Sequence, residues 1–346
     1  MSPTIEQHIS LQPFNSLALP AYAEYFCSVS DEQELFSALE YAKQHQLKIT
    51  PLGGGSNLIL AGDLSGLVIH INTHGISHHS QGNSVEVTFA AGENWHQAVL
   101  TTLEQGWFGM ENLSLIPGNM GAAPIQNIGA YGVELADLFV SLRAVEIATG
   151  KLVKFNKAAC EFAYRDSLFK NVARDQFIIL DVTLCLSTVA EVNISYPALK
   201  SALESHSGTL TPEKVSQLVC QIRRQKLPDP AITPNAGSFF KNPLISNSAL
   251  TGLLEVFPQM PNFPQPDNFT KIPAAWLIDQ CGYKGLTRGS VGVHKHQALV
   301  LVNHLDGGGT GEQLLELAEE IREGVWQRFA IRLELEPRVY GSIKEF

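Results

Sequence analysis

Apolar positions along the chain repeat with two periods, and the switches between them mark out its elements. Leu35, Phe36, Leu39 and Ala42 keep helical spacing, and Ser30 with Gln33 predicts a capping box ahead of them. LKITPLGGGSN (47–57) then reads as a short strand emptying into a glycine loop, and GLVIHI (66–71) as the unbroken apolar run of a buried strand. VEVTFAAG (85–92) is a further strand, followed by a helix from about Asn94 to Gln105 that Gly106 ends. VSLRAVEIATG (140–150), EFAYRDSLF (161–169) and FIILDVTLCL (177–186) predict more strands. Thr211, with Pro212 at the first helical position, opens a helix lined by Val215, Leu218, Val219 and Ile222. The prolines of KLPDP (226–230) stop it and mark a candidate domain boundary. A last helix starts near Thr310 with a second capping box to Gln313, carrying Leu314, Leu317, Ala318, Ile321 and Val325. IRLELEPRVYG closes the chain with period 2: Ile331, Leu333 and Leu335 on one face, Arg332, Glu334 and Glu336 on the other. The region from 85 to 186 alternates strands with few helices, and no internal repeat is visible.

Composition narrows this picture. With 346 residues, two or three domains are expected, and 45% apolar with 17% charged content is that of a soluble globular enzyme. No apolar run approaches a membrane span and MSPTIEQHIS lacks a signal-type apolar core, so a cytoplasmic location is expected. Cys27, Cys160, Cys185, Cys220 and Cys281 are scattered and odd in number, as reduced thiols are, and frame neither disulfides nor zinc. A net charge of −10 argues against nucleic acid but leaves room for a small anion at a local basic cluster. Arg223, Arg224 and Lys226 form such a cluster, with Lys241 further on; a solvated helix end, where cations suit the dipole, is the other reading.

Four glycine-rich segments are nearly free of charge: GGGSN (53–57), IPGNMGAAPIQNIGAYG (116–132), NAGSFF (235–240) and GGG (307–309). A main chain with so few side chains suits close approach to a flat or polyanionic ligand through its N–H groups, though ordinary loops share the composition. GGGSN runs into LIL and not into a helix, so the dinucleotide fingerprint GxGxxG is absent.

Ser238 stands beside a glycine in an apolar patch. Without GxSxG or a serine–histidine–acid order it reads as a proton donor, if a charge such as Lys241 steadies the alkoxide, or as a backbone-bonded loop serine. Arg165, within Tyr164-Arg165-Asp166, and Glu336 are candidates to steady an enolate, or else surface ion-pair members. His294 and His296 share a face of a predicted strand, but no third ligand follows, so no metal is expected.

In order along the chain, PLGGGSN, IPGNMGAAPIQNIGAYGVEL, YRDSLFK, KLPDP, NAGSFFKNP, WLIDQCGYKG and HQALVLVN resemble one family, the UDP-N-acetylenolpyruvoylglucosamine reductases, and cover nearly the whole chain. NAGSFFKNP with PIQNIGAYG carries the match; Tyr196 in SYPAL resembles the subtype with a tyrosine loop over the substrate. The resemblance implies an FAD-binding fold of the vanillyl-alcohol-oxidase type. Its two α+β subdomains would be 1–70 plus 331–346 and 71–225, with an α+β substrate domain at 226–330. FAD would be held non-covalently by Gly53, Gly54, Gly55, Ser56, Asn57, Pro117, Gly118, Gly121, Ala122, Gln126, Asn127, Gly129, Ala130 and Tyr131. NADPH would reduce it, and the enolpyruvyl ether of UDP-N-acetylglucosamine would take the hydride, as a step in peptidoglycan precursor synthesis serving cell wall, shape and division. By similarity Ser238 donates the proton, and Arg165 and Glu336 stabilise the enolate, Glu336 doing so only when protonated. Tyr196, Lys226, Asn242 and Gln297 would hold the substrate in a monomeric enzyme without nucleic-acid or membrane partners. Registering the C-terminus on LEP instead would put Arg338 at the position of the glutamate, and Glu334 is the fallback for Glu336. Another flavoprotein oxidising a hydroxy acid or sugar, or a flavin-binding regulator without turnover, would use the glycine loops but leave NAGSFFKNP idle.

Overall fold

A computed structural model describes residues 2–204, 209–304 and 308–341. The chain divides into two compact units, one of residues 1–9, 23–54 and 65–225, the other of 10–22, 55–64 and 226–346.

Among the described residues the first unit holds two main sheets and a small two-stranded one. One runs in the order Glu6–Ser10, Tyr22–Val29, Leu64–Ile71, Ile49–Leu52, and its last two strands are parallel, from Ile49↔Leu67 to Leu52↔His70. The helix Glu32–Gln44 covers it, burying Leu35, Ala38, Leu39 and Ala42 against Cys27, Val29, Leu67 and Ile69. The other sheet is antiparallel throughout, in the order Leu152–Asn156, Phe139–Glu146, Phe177–Ser187, Ser84–Ala90, Ile76–Gln81. Trp95, on the helix Trp95–Glu104, is buried in its core, and its ring N–H donates to the carbonyl of Leu113 at 2.9 Å. The helices Pro197–Glu204 and Pro212–Lys226 form a third cluster around Leu199, Val215, Leu218 and Val219.

In the second unit the strand Arg338–Tyr340 runs parallel to Leu58–Leu60, so the far end of the chain pairs with the residues that follow GGGSN. A Cβ on Gly311 would fall 2.0 Å from the carbonyl oxygen of Leu60, which lets the long helix Gly311–Phe329 start hard against that strand. Two small antiparallel sheets complete the unit, Leu244–Ser246 with Phe269–Lys271 and Phe263–Pro264, and Thr287–Arg288 with Val291–Val293 and Leu301–Asn303.

The α+β expectation holds, as does the Thr310–Gln313 capping box, whose reciprocal bonds are both present. Local readings needed correction. The first helix is capped by Asp31, which accepts from the N–H of Glu34, while the Glu34 carboxylate reaches back to Ser30. The predicted box is thus one residue early. EFAYRDSLF is not a strand: Glu161 and Arg165 take φ of +48° and +55°, and Asp166 bonds the N–H of Ser167 and the side chain of Asn171, so local polar bonds outcompete a ladder. The closing strand is only Arg338–Tyr340, and the strand before VHKH stops at Val293, which leaves His294 and His296 in a loop. Gly307 of the GGG run lies outside the described residues.

Candidate active site

In the second unit a serine is presented on a turn built by the residue three before it. Asn235 is buried; its Oδ1 accepts the N–H of Gly237 at 2.8 Å, and its Nδ2 donates to the carbonyls of Pro228 (3.1 Å) and Thr233 (2.8 Å). Gly237 takes φ +70° with open space where a Cβ would stand, so its backbone alone requires glycine. Ser238 comes next. Phe239 and Phe240, fully buried with rings 5.4 Å apart, anchor the chain beyond it.

Glu336 donates its N–H to the carbonyl of Phe239 at 2.9 Å, Phe240 pairs with Leu335, and Lys241 donates its N–H to the carbonyl of Glu334 at 2.9 Å. This register sets Glu336 against the residue next to Ser238, and Glu334 against Lys241. The Glu334 side chain is 72% exposed and takes the Lys241 ammonium at 2.9 Å. Lys241 is therefore committed to Glu334, against the expectation that it steadies Ser238. Leu299 accepts the N–H of Phe239 at 2.8 Å and donates its own to Gln297 Oε1 at 3.4 Å, which brings the loop of Gln297 to the same turn. Asn242 uses its Oδ1 to accept the N–H of Ala274 at 2.9 Å, starting the helix Ala274–Gln280.

The second half of GGGSN joins this framework. Ser16 donates its N–H to the carbonyl of Gly55 (3.1 Å) and its hydroxyl to that of Asn235 (2.8 Å), and Arg338 donates its N–H to the carbonyl of Asn57 (3.1 Å). Gly55 has φ +61°, and a Cβ there would fall 1.9 Å from the carbonyl oxygen of Phe14.

The first unit carries the remaining candidates. The segment 116–132 is a 3-10 turn, Met120–Gln126, leading into a tight hairpin of Gly129–Ala130 with Val133–Glu134. Its glycines serve mostly the chain's own packing. A Cβ on Gly121 would stand 2.6 Å from that of Ala91, one on Gly54 2.7 Å from Asn119 Oδ1, and one on Gly129 2.9 Å from Glu134 Cγ. Gly53 differs, since a Cβ there meets only the Cβ of Asn119, at 3.9 Å, and the space beside its main chain is otherwise open. Asn127 is buried and framework-bound: Oδ1 accepts from Ala136 (2.9 Å), and Nδ2 donates to Glu134 (2.8 Å) and the Ala163 carbonyl (3.1 Å).

Arg165 donates to the carbonyl of Gly129, and its guanidinium lies 5.5 Å from the centre of the Tyr164 ring. The Tyr131 ring meets Tyr196 edge-on at 5.3 Å. Arg223 is no solvated helix end. It is half-buried and donates Nε–H to the carbonyl of Leu115 at 3.1 Å. Burial pulls its guanidinium down from the usual range, with Tyr131 opposing and Arg165 adding to the shift. Arg224 and Lys226 are exposed. Leu115, at φ +58°, is also held on its other side, where its N–H donates to His96 Nδ1 at 3.0 Å. Sequence reading missed Asn235, whose signal is the Asn two before a glycine, and Asn112, whose signal the sequence does not carry. Among the described residues no three His, Cys, Asp or Glu gather as metal ligands.

The open space beside Gly53 leaves room for a flat cofactor, and an FAD binding domain model matches residues 23–156. The chain is an FAD-containing oxidoreductase of α+β fold. A second model, the C-terminal domain of UDP-N-acetylenolpyruvoylglucosamine reductase, matches 229–340. A reductase of that name from Pseudomonas fluorescens is 46% identical over 98% of this chain and all of its own length, and one from Pseudomonas aeruginosa is likewise 46% identical over 98% and all. The reductase structure from Thermus caldophilus, at 21% identity, shares the fold over 98% of this chain and 99% of its own with a TM-score of 0.67. The chain belongs to the UDP-N-acetylenolpyruvoylglucosamine reductases, with FAD as cofactor and NADPH as reductant.

Proposed function

We infer that the chain reduces the enolpyruvyl ether of UDP-N-acetylglucosamine to the lactyl ether, with Ser238 as the proton donor. FAD, when bound, supplies the acceptor for hydride from NADPH and the donor to the substrate's terminal vinyl carbon. The carbon that bears the ether oxygen and the carboxylate then carries the electron pair of the broken π bond, delocalised as an enolate. Ser238 Oγ–H protonates that carbon, and solvent restores the hydroxyl. Arg165 pairs with the substrate carboxylate, and Glu336, protonated, donates to the developing anion. Lys226, Tyr196, Asn242 and Gln297 hold the diphosphate and sugar. Gly53, Gly54, Gly55, Ser56, Asn57 and the 117–131 segment hold FAD. Asn127 does so through its backbone, since its side chain is taken. Division into two FAD subdomains and a substrate domain, a monomeric state and a cytoplasmic location belong to the same reading.

One observation supports the assignment above the others: the Asn235–Gly237 turn carries Ser238, and the pairing of Leu335 with Phe240 sets Glu336 opposite Phe239, the residue after Ser238, and Glu334 opposite Lys241. In Ser238→Ala, NADPH should still bleach the flavin at the native rate. Reoxidation by the enolpyruvyl substrate should slow by about 10²–10⁴-fold in stopped flow. Equal slowing of both half-reactions would remove Ser238 from the protonation step.

A further inference from the structure

Asn112 lies in a short turn ahead of the glycine-rich segment and is 1% exposed, out of reach of any ligand. Its side-chain NH2 nevertheless bridges two loops, donating to the carbonyls of Tyr131 at 2.9 Å and of Asn193 at 2.8 Å. Two carbonyls facing one amide group fix its orientation, because the amide oxygen would meet only lone pairs there. The Oδ1 is then left buried without a partner among the described residues. An unmatched acceptor is a cost, so the donated bonds are what justify asparagine at this position.

Val192 and Ile194 of the loop so held pack on the cluster around Leu199 and Val215, while its polar bonds centre on Asn193. Residues 188–196 lie between the strand Phe177–Ser187 and the helix Pro197–Glu204 and contain no regular element. Asn193 continues the zipper, with Nδ2 donating to the carbonyl of Gly132 (3.3 Å) and Oδ1 accepting from the N–H (3.0 Å) and hydroxyl (2.7 Å) of Ser195. Ser195 Oγ stands 3.0 Å from where a Cβ on Gly132 would be, and Tyr196 follows with its ring on Tyr131. The bonds run from Asn112 through Asn193 to Ser195, and the next residue, Tyr196, sets its ring edge-on to Tyr131.

We propose that Asn112 is a positioning residue: it clamps the 193–196 segment onto the tip of the 129–134 hairpin and so sets the Tyr196 phenol for ligand diphosphate. This rests on the reading of Tyr196 as a diphosphate contact. A phenol on an irregular segment contributes affinity in proportion to how far the free protein already holds it in place. Loosening it weakens binding of ground state and transition state alike, which raises KM and leaves kcat.

The test uses the FAD-loaded full chain. Asn112→Leu keeps the side-chain shape and removes both donors together with the orphaned acceptor. It should raise KM for the enolpyruvyl UDP-sugar roughly tenfold, the loss of about two ordinary hydrogen bonds. Flavin content and kcat should stay within about twofold, and amides of 190–196 should exchange hydrogen faster. Tyr196→Phe should raise KM by itself, and the double variant should be no worse than the more affected single one. Unchanged exchange and KM in Asn112→Leu, or effects that multiply in the double variant, overturn the proposal. If Tyr196→Phe alone leaves KM unmoved, the diphosphate assignment is what fails, and faster exchange in Asn112→Leu still supports the clamp. Should Asn112→Leu lose flavin, Asn112→Ala, which removes both donors without adding apolar bulk, carries the same test, with faster exchange of 190–196 and a raised KM expected.

Discussion

Single residues in this chain are chosen for backbone conformation and for polar bonds as much as for chemistry. Gly55 and Gly237 share a left-handed φ but not surroundings: a Cβ would strike the Phe14 carbonyl at the first and meet nothing at the second. Gly237→Ala should therefore cost about 1–2 kcal/mol, the strain of the left-handed region alone. Gly55→Ala should cost clearly more and release flavin, because backbone must move. Urea midpoints and the visible flavin spectrum of the two variants check this. Glu334 and Glu336 stand two apart on the chain, and only the pairing of 334–336 with 239–241 separates them. Glu336→Gln should lower kcat by about 10²-fold or more if its acid proton is used. Glu334→Gln, which breaks an exposed pair with Lys241, should change stability by no more than about 1 kcal/mol and leave kcat alone.

At the scale of elements, the helices Trp95–Glu104 and Pro212–Lys226 act together on the strained Leu115, His96 taking its N–H and Arg223 its carbonyl. His96 can accept that bond only through an unprotonated Nδ1. Burial, helped by Arg224 and Arg223, pushes its pKa down. The folded chain thus keeps His96 neutral where the unfolded chain begins to bind a proton, below about pH 6.5. Stability from this contact is present above that pH and is lost as pH falls through it. Half-buried His70 and His294 are pushed the same way, by desolvation first. His96→Asn supplies an acceptor without a titration, so its melting temperature should fall less steeply than that of the native chain between pH 7 and 5. The EFAYRDSLF segment teaches the converse lesson. Its composition suits a strand, yet Asp166, Ser167 and Asn171 bond nearby groups and fold it into turns, and Arg165 takes its position from that turn.

For the whole molecule, the two units differ in what holds them. Among the described residues the first is built mainly on a four- and a five-stranded sheet, whereas the second combines two- and three-stranded sheets with a long helix and pairs Arg338–Tyr340 with Leu58–Leu60. FAD binds the folded chain and not the unfolded one, so added FAD should raise the melting temperature of stripped protein in proportion to the logarithm of its concentration. A melting temperature indifferent to FAD would count against the cofactor assignment. Among the described residues no helix is long and apolar enough to cross a membrane. Legible along the chain were the helices with periodic faces, the capping box at Thr310, the buried strands, the glycine segments and, through motifs in a fixed order, the family. These are local, because propensity, capping and periodicity act within a few residues of one another. Only the three-dimensional pairing shows that Glu336 lies opposite Phe239 and Glu334 opposite Lys241, that Lys241 is bound to Glu334, that Arg223 bonds the carbonyl of Leu115, and that Asn112 ties two loops together. Each of those depends on pairing between segments tens to hundreds of residues apart, and no local pattern encodes such a register.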